Sequence, residues 1–270
     1  TKIIYLLERK CVSMSSRRGQ DIVSTLYKNS TCLHVLTDGP RTKPELVDAL
    51  DCSRSTIDRK VRTLSENDLV EYVDGNWKPT LLGKLASQRR RSYLNSISDL
   101  SHSAPILSEL DTDNPINWRF LDGIDAYEAD AAVPDGVVET LFNPTDQVTR
   151  VRGFAPRVLS GQIKLVYQNM ADVSFEFILP GDVIGRLEDI HPGYMSEIFA
   201  NGSVEICCRN VPFSFGLWIS DDDRAGIVVY TGRGVRGVLV NDTNEALSWA
   251  SELYMQAKEG ATTVQTLTTS

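Results

Sequence analysis

RTKPELVDALDCSRSTIDRKVRTLSENDLVEYVDGNWK, residues 41–78, spells two short helices, a tight turn and a hairpin in immediate succession. Thr42-Lys43-Pro44-Glu45 has the form of a capping box: the Thr42 hydroxyl accepts from the third amide, Glu45 reaches back to the Thr42 amide, and Pro44 falls in the first turn, where a missing N–H costs nothing. The spacing predicts a helix from there to Leu50, carrying Leu46, Val47 and Leu50 on one side and ending at Asp51-Cys52. Ser53 then caps a second helix to about residue 67, in which Ile57, Val61 and Leu64 recur at helical spacing as a buried stripe. Its opposite face carries Ser55, Arg59, Arg62 and Thr63, with Arg54 and Thr56 at the N-terminal end and Lys43 opening the preceding helix. Arginines that pair with guanine and hydroxyls that bond base edges or phosphates suit such a face to a major groove. The hairpin completes the pattern: Leu69 to Val73 reads as a strand, Asp74-Gly75 as a two-residue turn, and Asn76-Trp77-Lys78 as the return strand, with Trp77 and Lys78 placed to lie against a phosphate backbone. The expectation is a winged helix-turn-helix whose partner is double-stranded DNA, with Lys43, Arg54, Ser55, Thr56, Arg59, Arg62, Thr63, Asn76, Trp77 and Lys78 as the DNA contacts.

Charge along the chain supports this. The net charge of −8 argues against nucleic acid, but residues 1–100 hold 17 Lys and Arg against 12 Asp and Glu, while residues 101–270 hold 11 against 24. A basic N-terminal module is thus joined to an acidic remainder that nucleic acid repels. Arg exceeds Lys by 19 to 9 and Asp exceeds Glu by 22 to 14, a usage that points to a salt-adapted cytoplasm. The five Cys lack metal-ligand spacing and read as reduced cytosolic thiols. No apolar run approaches the roughly 20 residues of a membrane span.

Met14, followed by a polar, basic segment, reads as a natural start, so residues 1–16 are expected to be an unstructured extension. The DNA-binding domain is expected over 17–100, opening with a helix over 18–36 that Asp38-Gly39-Pro40 stops. After the wing, Thr80 caps a further helix, with Leu82, Leu85 and Ala86 in the core and Arg89-Arg90-Arg91 forming either a solvated face near the helix end or contacts to flanking phosphates. Farther along it, Tyr93, Leu94, Ile97 and Leu100 form a stripe with no partner inside the domain, which predicts a homodimer. A linker is expected over 101–118, marked by Asp111-Thr112-Asp113-Asn114-Pro115. Residues 119–260 then alternate strands (149–154, 173–179, 203–208, 213–219, 225–230 and 235–240) with helices (137–142, 158–170, 182–190, 194–200 and 244–257). That order predicts a mixed α/β sheet covered by helices. The Thr-rich segment 261–270 is expected to be disordered.

The second domain offers no assembled catalytic set. His34, His102 and His191 stand apart from any nucleophile or second ligand. Gly232-Arg233-Gly234-Val235-Arg236-Gly237 precedes no helix and reads as a hairpin turn, and Asp221-Asp222-Asp223 reads as solvated loop carboxylates. We therefore expect no cofactor, no metal site and no enzymatic activity; the rival reading is a phosphodiesterase-like or nucleotide-hydrolysing enzyme carrying a DNA-targeting module. The second domain is expected either to mediate assembly or to sense a small molecule; a sensor would hold an anionic effector between two loops, with Phe154 and Tyr230 as apolar walls and Arg152 and Arg233 as its cationic partners, the alternative being that both arginines pair with the domain's own carboxylates.

Ser53-Arg54-Ser55-Thr56-Ile57-Asp58-Arg59, Val151-Arg152-Gly153-Phe154-Ala155-Pro156, Pro212-Phe213-Ser214-Phe215-Gly216-Leu217 and Val235-Arg236-Gly237-Val238-Leu239-Val240 together resemble the archaeal winged-helix regulators of the methanogenesis regulatory protein (FilR) type, abundant in haloarchaea. The resemblance implies a cytoplasmic transcription regulator whose C-terminal domain senses a signal. That domain also resembles the phospholipase-D-like sensor domain of archaeal sugar-responsive regulators. Catalytic members of that fold need His-x-Lys, and no His here has Lys two residues later.

Overall fold

The computed structural model describes residues 2–130, 132, 136–139, 148–159, 163, 172–190, 193, 203–221, 223–232 and 234–264, with the backbone alone for 2–17. The chain divides into two compact units, Thr1–Leu94 and Asn95–Ser270.

In the first unit α1 runs Lys2–Thr37, so residues 2–16 are helical rather than the unstructured extension expected. The helix kinks at Asn29 (φ −120°, ψ 18°), whose buried amide donates to the Thr25 carbonyl at 3.2 Å. α2 (Lys43–Leu50) begins at the complete Thr42/Glu45 capping box and ends at Asp51, which is left-handed at φ 46°. α3 (Arg54–Glu66) begins at Ser53, whose side chain accepts from the Thr56 amide. Antiparallel strands β1 (Val70–Val73) and β2 (Asn76–Pro79) are joined by Asp74 (φ 50°) and Gly75 (φ 84°). Both turn residues have positive φ, the geometry that Asp-Gly favours in a two-residue hairpin. A bridge from Arg41 to Trp77 adds a third short extended segment. Leu26, Leu33 and Leu36 of α1, Leu46 of α2, and Ile57, Val61 and Leu64 of α3 close the core over Leu69 and Val70.

α4 (Leu81–Leu107) corrects two expectations. Leu82 and Leu85 are 39% and 55% exposed instead of lying in the core. The Thr80 hydroxyl caps the helix at the Gly83 amide and donates to the Asp68 carbonyl, which turns Gly83 inward against the Leu69 carbonyl, where any Cβ would collide. Secondly, α4 runs through the first part of the expected linker: Ile106 is fully buried, with its side chain against the backbone of Gly237. Beyond it Asn114 forms the predicted turn, donating to the Asp111 carbonyl and accepting from the Ile116 amide.

The second unit is built on an eight-stranded mixed sheet. Its strands are β3 (Asp125–Glu128), β4 (Arg150–Phe154), β5 (Ser174–Leu179), β6 (Val204–Cys208), β7 (Phe215–Ser220), β8 (Arg224–Thr231), β9 (Gly234–Asn241) and β10 (Thr262–Thr263), in the order β10-β6-β5-β4-β7-β8-β9-β3. β4, β5 and β6 are parallel, and β7, β8 and β9 form an antiparallel meander attached to β4. The six expected strands are found to within two residues at either end; β3 and β10 are additional. β10 pairs with β6 inside the segment expected to be a disordered tail.

Alternation along the strands sends side chains to two cores. One face meets α5 (Trp118–Leu121) and the last helix, α8 (Asn244–Lys258), through Phe120, Phe154, Leu217, Ile227, Leu239, Trp249 and Leu253. The other carries Val151, Phe175, Trp218, Val228, Tyr230 and Val238, with Leu187 from α7 (Gly181–Ile190). Between β3 and β4 lies the short α6 (Gly136–Glu139). The expected helix over 194–200 and most of that over 158–170 lie outside the described residues.

Candidate nucleic-acid interface

Ser53 fixes the start of α3 twice over. Its hydroxyl accepts from the Thr56 amide at 3.3 Å and lies 3.0 Å from the Ser55 hydroxyl and 2.9 Å from that of Thr56. With Ile57, Val61 and Leu64 buried, the helix has one possible roll, and Arg54, Ser55, Arg59 and Arg62 are left exposed while Thr56 and Thr63 are half-buried. The expected polar face is therefore presented to solvent on a helix whose other side is anchored.

The five cations of this surface divide into two groups. Among the described residues Arg54 and Arg59, in the N-terminal half of α3, make no ion pair, although the Arg54 charge reaches the Asp58 carboxylate. The other three are engaged: Lys43 Nζ lies 2.5 Å from Asp58, Arg62 Nε 2.9 Å from Glu66, and Lys78 Nζ 3.3 Å from Glu71. The Lys43 ammonium, bonded to Asp58, holds that carboxyl below the usual carboxylate range. Glu71 and Lys78 face each other directly across the wing hairpin. Lys43, Asp58, Arg62, Glu66 and Trp77 together line an open cleft of about 380 Å³.

Trp77 differs from expectation. It is half-buried, packs against the unit's core, stacks obliquely on Tyr72 at 5.1 Å, and has its indole nitrogen shielded from solvent. It packs the wing against the core of the unit. Asn76 is half-buried at the hairpin, its side chain donating to the Asp74 carbonyl. Sequence reasoning missed the carboxylates. The Arg62/Glu66 spacing of four and the Glu71/Lys78 register were legible in the sequence; the pairing of Lys43 with Asp58, on two different helices, was not.

The expected effector site in the second unit is not assembled. Arg152 and Phe154 project from one face of the sheet and Tyr230 from the other. Phe154 is 1% exposed and belongs to the core beneath α8, where its ring lies 5.1 Å from Phe213. The Arg152 guanidinium lies over the Tyr254 ring at 5.3 Å and donates to Ser251. Tyr230 is buried and donates to the Arg157 carbonyl. Residues two apart on a strand share a face, so Arg152 and Phe154 go together, but nothing in the strand sequences says which face of β8 they would share. Arg233 lies outside the described residues. The glycine run does occupy the β8–β9 turn.

Asp221 is held by the start of the neighbouring strand β4. Its carboxylate accepts from the Thr149 amide and hydroxyl and from the Arg150 amide, and although burial opposes ionisation these bonds draw its pKa down. Among the described residues no group of three His, Cys, Asp or Glu is placed to hold a metal ion. Among them, too, no helix is long and apolar enough to cross a membrane.

A buried ionic cluster lies beside Arg152. Glu176, 7% exposed on β5, accepts from Arg150 at 2.9 Å and from Lys258 of α8. Burial opposes its charge, yet Lys258, Tyr254 and Arg150 together hold its pKa down at about 2. Arg209 closes the same end of α8 by donating to the carbonyls of Gln256 and Ala257.

Comparison with known proteins gives two family matches. Residues 134–260 match the methanogenesis regulatory protein FilR1, middle domain, and residues 20–100 match the HVO_A0261 N-terminal domain. No curated protein matches the chain in sequence. Among solved structures it is similar to TrmBL2, an archaeal chromatin protein, at 12% identity over 86% of this chain and 92% of that one, with a TM-score of 0.38. It is also similar to Nuc, a phospholipase D family member from Salmonella typhimurium, at 11% identity over 53% of this chain and 99% of that one, with a TM-score of 0.41. A third is a putative IclR-family transcriptional regulator from Rhodococcus, at 12% identity over 90% and 91% of the two chains, with a TM-score of 0.21.

Proposed function

We propose that the chain, which matches the methanogenesis regulatory protein FilR1 middle domain over residues 134–260 and the HVO_A0261 N-terminal domain over residues 20–100, is a sequence-specific, DNA-binding transcription regulator that acts as a homodimer. One observation carries the reading: α3, anchored by its apolar stripe, presents Arg54, Ser55 and Arg59 to solvent, and among the described residues neither arginine has an ion-pair partner. Arginines on the N-terminal half of a recognition helix reach base edges, where a bidentate contact to guanine supplies specificity. Lys43, Arg62 and Lys78 lie on the flanks and serve as phosphate contacts, which position the protein without reading sequence. The acidic second unit is repelled by nucleic acid and is left to assembly or to sensing a small molecule.

The test is a gel shift on duplexes selected from random-sequence DNA by the full chain. Arg59→Ala should weaken binding to the selected duplex by about 1–3 kcal/mol, with little effect on a scrambled one. Lys78→Ala should weaken binding to both alike. Unchanged affinity in both variants would remove α3 and the wing from the interface.

A further inference from the structure

We propose that Asp58, Glu66 and Glu71 determine the specificity of this interface by occupying the cations that would otherwise bind any phosphate, while Arg54 and Arg59 stay free to read bases. The inference rests on the DNA-binding reading above and goes beyond it by assigning a role to three acidic residues on a surface that must meet a polyanion.

The geometry separates the two kinds of contact. Every paired cation is a flank residue: Lys43 at the start of α2, Arg62 in the C-terminal half of α3, and Lys78 on the return strand of the wing. Both unpaired cations lie in the half of α3 that enters a groove. The paired side chains remain between 38% and 80% exposed, so DNA can reach them. Exposed ion pairs are weak and open readily. A phosphate arriving at Lys43, Arg62 or Lys78 therefore competes with a carboxylate already in place, and it meets a bare negative charge once that pair has opened.

This competition falls unequally on the two modes of binding. Non-specific affinity comes almost wholly from phosphate neutralisation and counterion release. Specific affinity adds base contacts, which here come from two arginines that make no ion pair among the described residues, Arg59 with no carboxylate acting on it there and Arg54 under only the longer-range attraction of Asp58. The acidic residues thus lower binding to random DNA more than binding to a cognate site, and the ratio between the two rises.

The experiment measures binding of the full chain, wild type and the variants Asp58→Asn, Glu66→Gln and Glu71→Gln, singly and combined, to a selected duplex and to a scrambled duplex across a salt series. Each substitution should tighten binding to the scrambled duplex severalfold and steepen its log K against log salt slope by about 0.9 per phosphate gained. Affinity for the selected duplex should rise less, so discrimination falls. The Glu66→Gln gain should vanish when Arg62→Ala is added. The proposal is overturned if the triple variant, folded as judged by circular dichroism, binds scrambled DNA with unchanged affinity and slope. It is equally overturned if the Glu66→Gln gain survives loss of Arg62, because bulk charge would then be the cause. If the wild type binds neither duplex, the DNA-binding reading itself fails.

Discussion

Replacing Glu176 by Gln removes a buried carboxylate that is held by cations on two sides. Glutamate ordinarily titrates near 4.5, and in the folded protein Glu176 is held at about 2, because Lys258, Tyr254 and Arg150 outweigh the opposing effect of burial. At about 1.36 kcal/mol per pH unit, that difference corresponds to roughly 3 kcal/mol. Lys258 and Arg150 are 39% and 53% exposed, so water screens part of it, and about 2 kcal/mol is the magnitude to test. A folded-state pKa below the unfolded one gives stability that is fully present above pH 4.5 and is lost as pH falls from 4.5 toward 2. Glutamine cannot titrate, so Glu176→Gln should be about 2 kcal/mol less stable than wild type at pH 7, and the gap should narrow steadily between pH 5 and pH 3. Urea unfolding of the two proteins at matched pH values measures it. A gap that is absent at pH 7, or as large at pH 3 as at pH 7, refutes the reasoning.

Two further outcomes follow from packing. Gly226 faces Trp218 across β7 and β8, and a Cβ there would lie 2.3–2.4 Å from the indole, so Gly226→Ala should cost about 1–3 kcal/mol in urea unfolding and change the near-ultraviolet dichroism of the tryptophan. Of the stripe expected for dimer contact, Leu100 packs instead against the core of the second unit, while Tyr93, Leu94 and Ile97 are 64%, 45% and 40% exposed, so wild type should scatter light as a dimer at micromolar concentration and Ile97→Glu should scatter as a monomer; a wild-type monomer refutes that use of the stripe.

The first unit was the more legible of the two because its signals are local. A capping box, a serine cap and an Asp-Gly turn each act within four residues, and each formed where the spacing placed it. The inward face of α4 was misread because Leu82 and Leu85 are better core residues than Gly83. What fixed the roll of the helix was a close approach to the Leu69 backbone, which only the assembled structure reveals. In the second unit the six strands were visible from their apolar runs, but β3 and β10 carry Asp125, Glu128, Thr262 and Thr263, residues that no periodicity separates from loop. The pairing of Arg152 with Phe154 on one face was fixed by strand geometry. That Tyr230 faces the opposite way depends on sheet register, including the irregularity at Val229/Tyr230, and register is a non-local property.

The order of strands in the sheet also sets an order of assembly. β7, β8 and β9 follow one another directly in the chain and pair as neighbours, so their contacts close short loops and form early. β4 sits at the centre of the sheet, yet one of its two partners, β7, lies beyond both of the other parallel strands, β5 and β6, in sequence. During synthesis the parallel strands emerge first and wait, with β4 unpaired along one edge, until the meander arrives as a preformed hairpin stack to receive it. A ribosome pausing before Phe215 would therefore hold an aggregation-prone edge in the open, and one pausing after Asn241 would not.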